Sequence, residues 1–452
     1  MDSSSGSMRE AGSPLAFWLL AALLTVLLLA GGASRADVLG QPVVRFFAWG
    51  VLGALILFSV RVRLPRSAPA LLLGATIALV ALQLVPLPPA LWTALPGRDL
   101  LAQSALVAGL EQPWRPLSMS PGGTANALGS LIVPAAVLLL AEQLDRDQHR
   151  RIAGVLLGLV VAGGLIALLQ VSGARWDSPF VNDMRGEVSG SFANRNHFAL
   201  FLAMGCVLAP VWGLRADDSR HFRAVAAIGL IPVFLLLVFA SGSRAGLVLG
   251  FAGAVAGLAI ARKQVRTLAA RLPRRLLVPV VGIIVAAIVG VLVLSVLSGR
   301  AVSVDRALTL ASADDLRNRF LPVVVQMTQF YLPAGTGFGT FDPVFRVTEP
   351  EAMLQPQYIN QAHSDWLQIT LEGGVAGAAL LLAGAAWWGV ATWRALKARP
   401  ARLLPLAGSA LILLVAAASL IDYPARTPLV MGVLMLAAVW LSGSTRRLDD
   451  TP

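Results

Sequence analysis

The sequence predicts an all-α protein that crosses a membrane about twelve times. Three observations carry this expectation. The chain of 452 residues is 57% apolar and only 13% charged, with a mean hydropathy of +0.74, whereas a soluble globular domain carries about 25% charged residues. Apolar runs recur along the chain, each near the roughly 20 residues that cross a hydrocarbon core. Basic residues gather in alternate connections between those runs, as topology selection by positive charge requires.

Taken in order, the first three spans lie near 14–31, 43–60 and 69–86. The first could pass for a signal peptide with a small-residue site at Ala33 to Ala36, but it is long for such a core and reads as a helix. Loop 87–123, rich in Pro and Gly, leads to spans 124–141 and 152–172. Loop 173–195 follows, with Trp176, Asp183, Arg185 and Glu187. Spans 196–214, 222–240, 245–261 and 276–298 come next; Cys206, the single cysteine, reads as a small core hydrophobe. Loop 299–365, about 67 residues long, is too polar for lipid. Spans 366–393, 403–420 and 427–443 complete the chain. The expected division is 1–298 with helices 1–9, the loop domain 299–365, and 366–452 with helices 10–12 and a tail.

The formal net charge of +12 could suggest nucleic acid. Orientation explains it instead. With both termini cytoplasmic, the inside connections hold 22 of the 36 Lys and Arg and 9 of the 24 Asp and Glu, a net +13 against −1 outside. The lipid bilayer, not nucleic acid, is the expected partner of this basic balance. All three long loops then lie outside. No internal repeat supports an inverted-repeat transporter, and the near absence of ionisable residues inside the spans weighs against an ion-coupled pump.

Polar chemistry is therefore expected at the outer rim. Arg244, in "ASGSRAGLVLG" after Ser243, opens a span. A guanidinium beside a helix N-terminus can hold an anion; it can equally be a snorkelling anchor. Residues 315–331 read as a short loop helix with Phe320, Val324, Met327 and Tyr331 on one face, able to lie on the membrane surface. Arg317 and Arg319 stand near its start, as anion ligands or a solvated pair. "GSFANRNHFALFL" places Asn194, Arg195, Asn196 and His197 at the rim, suited to sugar hydroxyls or to a helix cap at Asn194. Gly335, Gly337 and Gly339 make a turn that ends on Phe341; with no strand before and no helix opening on it, the turn is not a nucleotide loop.

"AHSDWLQITLEGGVAG" holds His363. The uninterrupted apolar run begins ten residues later at Gly373, roughly 15 Å along a helix, which sets His363 at headgroup height. On a helix, Asp365 and Glu372 would lie on other faces, so a group that orients the imidazole must come from another segment. Gly373 and Gly377 read as a small-residue pair that admits a neighbouring helix. His363 is either a general base or a lone polar residue at the rim. With two histidines and no cysteine outside, no metal site and no cofactor is expected; arginines would stabilise a leaving anion.

Together these stretches resemble the O-antigen ligase and polymerase family of bacterial membrane glycosyltransferases. His363, Ser364, nine residues to Gly373, then Gly374 and Gly377, is similar to the ligases' histidine motif. "GSFANRNHFA", "SGSRAG" and an arginine before "GTGFGTF" follow in family order. The resemblance covers about 185–385. It implies a C-type helical (GT-C-like) glycosyltransferase of the inner membrane, with loop 299–365 and the active site periplasmic. Its donor would be a glycan on undecaprenyl diphosphate, its acceptor lipid A–core or another glycan, and its reaction metal-independent and inverting. By position, His363 matches the base, Arg244 the first arginine and Arg317 the second, with Arg319 the fallback; the aromatic expected four residues after Arg317 is Leu321 here. The implied functions are ligation to lipid A–core, polymerisation of a lipid-linked glycan, or, from another class, non-catalytic export of that glycan.

Overall fold

A computed structural model describes residues 12–59, 62–173, 178–181, 187–214, 220–271, 282, 313–354, 359–398 and 402–443. The chain opens with α1 (Pro14–Ala30), α2 (Gly40–Phe58) and α3 (Ala68–Leu82). The loop after α3 carries two short helices, α4 (Pro89–Trp92) and α5 (Asp99–Val107), and a two-residue ribbon in which Pro86–Leu87 pairs antiparallel with Arg115–Pro116. Next come α6 (Pro121–Ser130), α7 (Ile132–Ala141), α8 (Arg146–Val171), α9 (Arg195–Gly213), α10 (Arg220–Ala240), α11 (Arg244–Ile260) and α12 (Arg262–Arg271). The large loop forms α13 (Ala313–Tyr331) and α14 (Phe341–Thr348), and α15 (Asp365–Lys397), α16 (Leu403–Ala418) and α17 (Pro428–Ser442) follow.

Helices occupy eleven of the twelve predicted segments; the predicted span 276–298 lies outside the described residues apart from position 282. Among the described residues, six helical segments are long and apolar enough to cross a membrane, and five shorter apolar helices accompany them. The chain is an all-α, multi-pass membrane protein. Two predicted helices are interrupted. Segment 124–141 is two helices that meet at Leu131. Pro134 accounts for the break, because its ring excludes the carbonyl four residues earlier, that of Ser130.

The second break is in α15, where Gly374 adopts φ 60°, ψ −151°. A Cβ there would stand 2.2 Å from the Pro333 carbonyl oxygen. The backbone groups freed by the break are bound from elsewhere: Thr336 N–H donates to Leu371 O (3.1 Å) and Gly337 N–H to Glu372 O (2.9 Å), while the freed Val375 N–H donates to Pro333 O (3.0 Å). Gln83 Nε2 also donates to Glu372 O (3.0 Å). This satisfies backbone groups that could not be left open at membrane depth. Gly373 and Gly377 flank the break: a Cβ on Gly373 would meet Phe338 at 3.0 Å and Leu79 of α3 at 3.9 Å, and one on Gly377 would stand 2.6 Å from the Ile369 carbonyl of its own helix.

The core centres on α9, buried on every side from His197 to Val211. Cys206 is a fully buried side chain of this core. α11 lies against α9 so closely that a Cβ on Gly253 would be 2.5 Å from the Ala203 carbonyl. On α13, Phe320, Val324, Met327 and Tyr331 are all buried, packed with Phe341, Phe345 and Leu371. The predicted apolar face thus seats the loop helix on α14 and α15.

The connections assigned to one side by charge meet at one end of the bundle. Ala193 N–H donates to Gly32 O (3.1 Å), Leu429 N–H to Gly31 O (3.1 Å), Met119 N–H to Thr336 O (2.9 Å) and Asp365 N–H to Ser419 O (3.0 Å). The opposite set meets at the other end, where Ser13 N–H donates to Gln143 O (3.1 Å) and Arg63 N–H to Gln143 Oε1 (2.9 Å).

Candidate active site

Three helix starts come together at that first end. α9 is capped by Asn194, whose Oδ1 accepts from Asn196 N–H (2.8 Å). α11 is capped by Ser243, whose Oγ accepts from Gly246 N–H (2.9 Å), so Arg244 is its first residue, as expected. α15 is capped by Ser364, with His363 just outside the helix. Unpaired N–H groups and the helix dipoles make such a junction favourable to negative charge.

That charge is Asp422, in the short connection between α16 and α17. Its Oδ2 accepts from Asn196 Nδ2 (2.7 Å) and Asn194 Nδ2 (3.1 Å), and its Oδ1 from Tyr423 N–H (3.0 Å). Its Oδ1 also stands 3.5 Å from His363 Nδ1 and 3.7 Å from His197 Nε2. Ser243 Oγ extends the network by donating to Asn196 Oδ1 (2.7 Å). Burial pushes the Asp422 carboxyl up, but the hydrogen bonds and charges of His197 and His363 outweigh it and hold the group well below the usual carboxylate range. Asp422 is the orienting group from another segment that the sequence required for His363.

His363 is not helical, so the helical offsets to Asp365 and Glu372 do not apply to it. Its φ is +48°, the left-handed region, rare for a residue with a Cβ. Backbone bonds hold it there: Ala362 N–H donates to Gln368 Oε1 (2.9 Å), and Asp365 N–H reaches Ser419 O (3.0 Å) and Asp422 O (3.3 Å). Tyr423 packs edge-on against the imidazole at 4.9 Å between centroids, and Phe320 of α13 tilts against it at 5.7 Å. With Nδ1 turned to a carboxylate, Nε2 is the nitrogen left to accept a proton; 28% of the side chain is accessible.

The other predicted residues divide. Asn194, Asn196 and Ser243 join the His363 centre as supports of Asp422. His197 is buried, with Nδ1 3.0 Å from Thr427 Oγ1. It braces Asp422 and is closed to a sugar. Arg195 pairs with Glu187 at 3.1 Å. Arg319 is exposed and donates to Ala352 O (3.3 Å). Arg317 lies on α13, but its side chain is outside the described residues. Gly335 and Gly337 are buried, with Gly374, Glu372 and Ser118 as their close neighbours; they lock the turn onto the α15 break.

Two charged residues near the centre, Asp422 and Arg426, were not among the sequence candidates. Arg426 Nη2 donates to Glu372 Oε2 (2.9 Å), and its Nε lies 3.4 Å from Asp365 Oδ1. Asp365 Oδ2 in turn accepts from Ser419 Oγ (2.9 Å) and Ala425 N–H (3.0 Å). The start of α15 thus does hold buried ionisable groups, Asp365 and Glu372, both paired with Arg426. The available signal was "DYPAR", Asp422 to Arg426, an acid and a base in a short turn between two apolar runs. Among the described residues, no group of three or more His, Cys, Asp or Glu is arranged to hold a metal ion.

No curated protein matches the chain. A family model does, described as O-Antigen ligase, over residues 228–382. The matched segment contains Arg244, Arg317, Arg319 and His363; it excludes the α9 start and Asp422, which the fold brings to the same place. Over that segment, which holds the histidine motif, the chain is similar to the O-antigen ligase family.

Proposed function

We propose that the chain is a glycosyltransferase of the bacterial inner membrane, an O-antigen ligase that moves a glycan from undecaprenyl diphosphate to a hydroxyl of lipid A–core. The observation that carries this reading is the His363–Asp422 pair at three helix starts, linked through Asn196 to Ser243, the residue before Arg244. In this reading, His363 Nε2 takes the acceptor hydroxyl proton as the oxygen bonds to the anomeric carbon. The bond from that carbon to the diphosphate breaks, and the electron pair leaves with the diphosphate. Asp422 holds the imidazole and stabilises its protonated form. Arg244, with Arg317 or Arg319, stabilises the departing anion. Attack from the face opposite the leaving group inverts the centre, and arginines take the place of a metal.

The same reading has twelve spans in a C-type helical fold, a periplasmic loop domain 299–365, cytoplasmic termini, and a periplasmic centre. The charge asymmetry supports this orientation, and so does the meeting of the assigned outer connections at one end. Polymerisation of a lipid-linked glycan would use the same chemistry with another acceptor. The test is transfer by the purified protein from an undecaprenyl diphosphate glycan, offered lipid A–core or a second lipid-linked glycan. Product on lipid A–core alone is expected. Product on the second glycan alone would replace the ligase with a polymerase, and undiminished transfer by His363→Ala would remove the mechanism.

A further inference from the structure

A cavity of about 720 Å³ opens between α2, α3, α6 and the start of α15. Asp365 and Arg426 line it, but neither His363 nor Arg244 does. The cavity therefore adjoins the His363 centre along residues 360–372. Arg45, on the second turn of α2, is its unusual feature. Two of its N–H groups meet amide oxygens, Asn126 Oδ1 at 2.8 Å and Gln41 Oε1 at 3.3 Å. Its Nε is buried without an acceptor, and among the described residues no carboxylate pairs with it. The other two arginines of the cavity have counter-ions: Arg35 pairs with Asp37, and Arg426 with Glu372. Half-buried and met only by amide dipoles, this guanidinium leaves a positive charge in the cavity wall that an anion would complement.

The rest of the lining narrows the class of ligand. The amide nitrogens of Asn126 and Gln361 have no protein acceptor among the described residues, so the wall carries unspent donors beside Arg45. Asp37 and Asp342, paired with Arg35 and Arg346, also line the cavity and keep lone pairs for further donors, and Phe338 and Phe341 supply apolar faces. Carboxylates accept from hydroxyls and repel a bare anion; aromatic faces receive the C–H side of a sugar ring. We propose that this cavity binds a phosphate-bearing saccharide, with Arg45 on the phosphate and the amides, Asp342 and Phe338 on the sugar. The proposal rests on the transfer reading only for the source of that saccharide, a portion of the lipid-anchored substrate; the binding itself can be measured without turnover.

The probe is glucose 6-phosphate, titrated by calorimetry into the full chain in phosphatidylcholine nanodiscs. It should bind more tightly than glucose or inorganic phosphate. Arg45→Gln should weaken it about tenfold or more, because a charge-assisted contact is lost. Asn126→Asp keeps the side-chain shape and gives Arg45 a counter-ion, and it should weaken binding to a similar degree. Should Arg45→Gln fail to fold by gel filtration, Asn126→Asp decides. Binding in His363→Ala should persist although transfer is lost, which separates this proposal from the transfer mechanism. Undetectable binding to the wild type would overturn the proposal, as would unchanged affinity in Asn126→Asp. Loss of binding in Arg244→Ala with Arg45→Gln intact would overturn it by placing the anion at the other centre. Abolition of binding by phosphatidylglycerol in the nanodisc would assign the cavity to a lipid headgroup instead.

Discussion

Replacing Asp422 by Asn tests the central pair directly. The substitution keeps the side-chain shape and removes its charge. One carboxylate oxygen accepts from Asn194 and Asn196, and the other from the Tyr423 N–H while it faces His363. An amide has one acceptor oxygen, so one of these sides must meet an NH2 group instead. Between Asp422 and a protonated His363 at 3.5 Å, the Coulomb attraction is about 5 kcal/mol at an effective dielectric of 20. Partial exposure of the imidazole and relaxation of the amide reduce this to about 3 kcal/mol. Since each 1.36 kcal/mol is tenfold in rate, turnover should fall on the order of 10²-fold. The assay is transfer by purified protein at saturating donor and acceptor. The double variant His363→Ala/Asp422→Asn should be no slower than His363→Ala, because Asp422 acts through the imidazole. A folded Asp422→Asn protein within about threefold of wild type, or a fully additive double variant, would refute the reasoning. The same variant reads stability against pH. A carboxylate held below its ordinary value stabilises the fold above about pH 3.9, the unfolded value, and loses that contribution as pH falls through the lower folded value. The wild-type advantage in melting temperature should therefore persist down to about pH 4 and shrink below it.

Arg244→Lys keeps a charge at the α11 start but loses the planar fork; turnover should fall roughly 10-fold to 100-fold, and further in Arg244→Ala, with the melting temperature little changed. Gly374→Ala places a Cβ 2.2 Å from the Pro333 carbonyl oxygen at a left-handed φ. It should cost about 3 kcal/mol or more in thermal unfolding, whereas Gly384→Ala, with no atom within 4 Å of its Cβ, should cost nothing measurable. Glu372→Leu removes the partner of Arg426 and should destabilise by about 3 kcal/mol, read by fluorescence-detected melting. Transfer should be unaffected by excess EDTA; loss of activity with chelator, restored by a divalent cation, would contradict the arginine-only mechanism.

Some features were legible because their cause is local. An apolar run of the right length makes a helix wherever it enters lipid, so helix positions follow from hydropathy alone. Ser243 before Arg244 is a local cap, and the arginine does open α11. The spacing of Phe320, Val324, Met327 and Tyr331 is a helical face, and all four are buried. The glycines of "EGGVAG" were visible, but their purpose was not. A small-residue pair and a helix break look alike until the carbonyls of Leu371 and Glu372 are seen bound by Thr336 and Gly337.

By itself, then, the sequence determined the helical membrane architecture, the sorting of its connections into two sets, and the candidacy of His363 and Arg244. The bilayer imposes those constraints on each segment separately. Only the tertiary structure decided what stands beside His363. Asn196 meets Asp422 across 226 residues and Thr427 meets His197 across 230. Such pairs have no period or composition by which to find them, because they exist only where α9, α11, α15 and the α16–α17 turn share one end of the bundle. The uncompensated Arg45 is of the same kind. On its own helix it reads as one more rim arginine beside Gln41; only the packing of α2 against α6 brings the Asn126 amide to it where a counter-ion could stand.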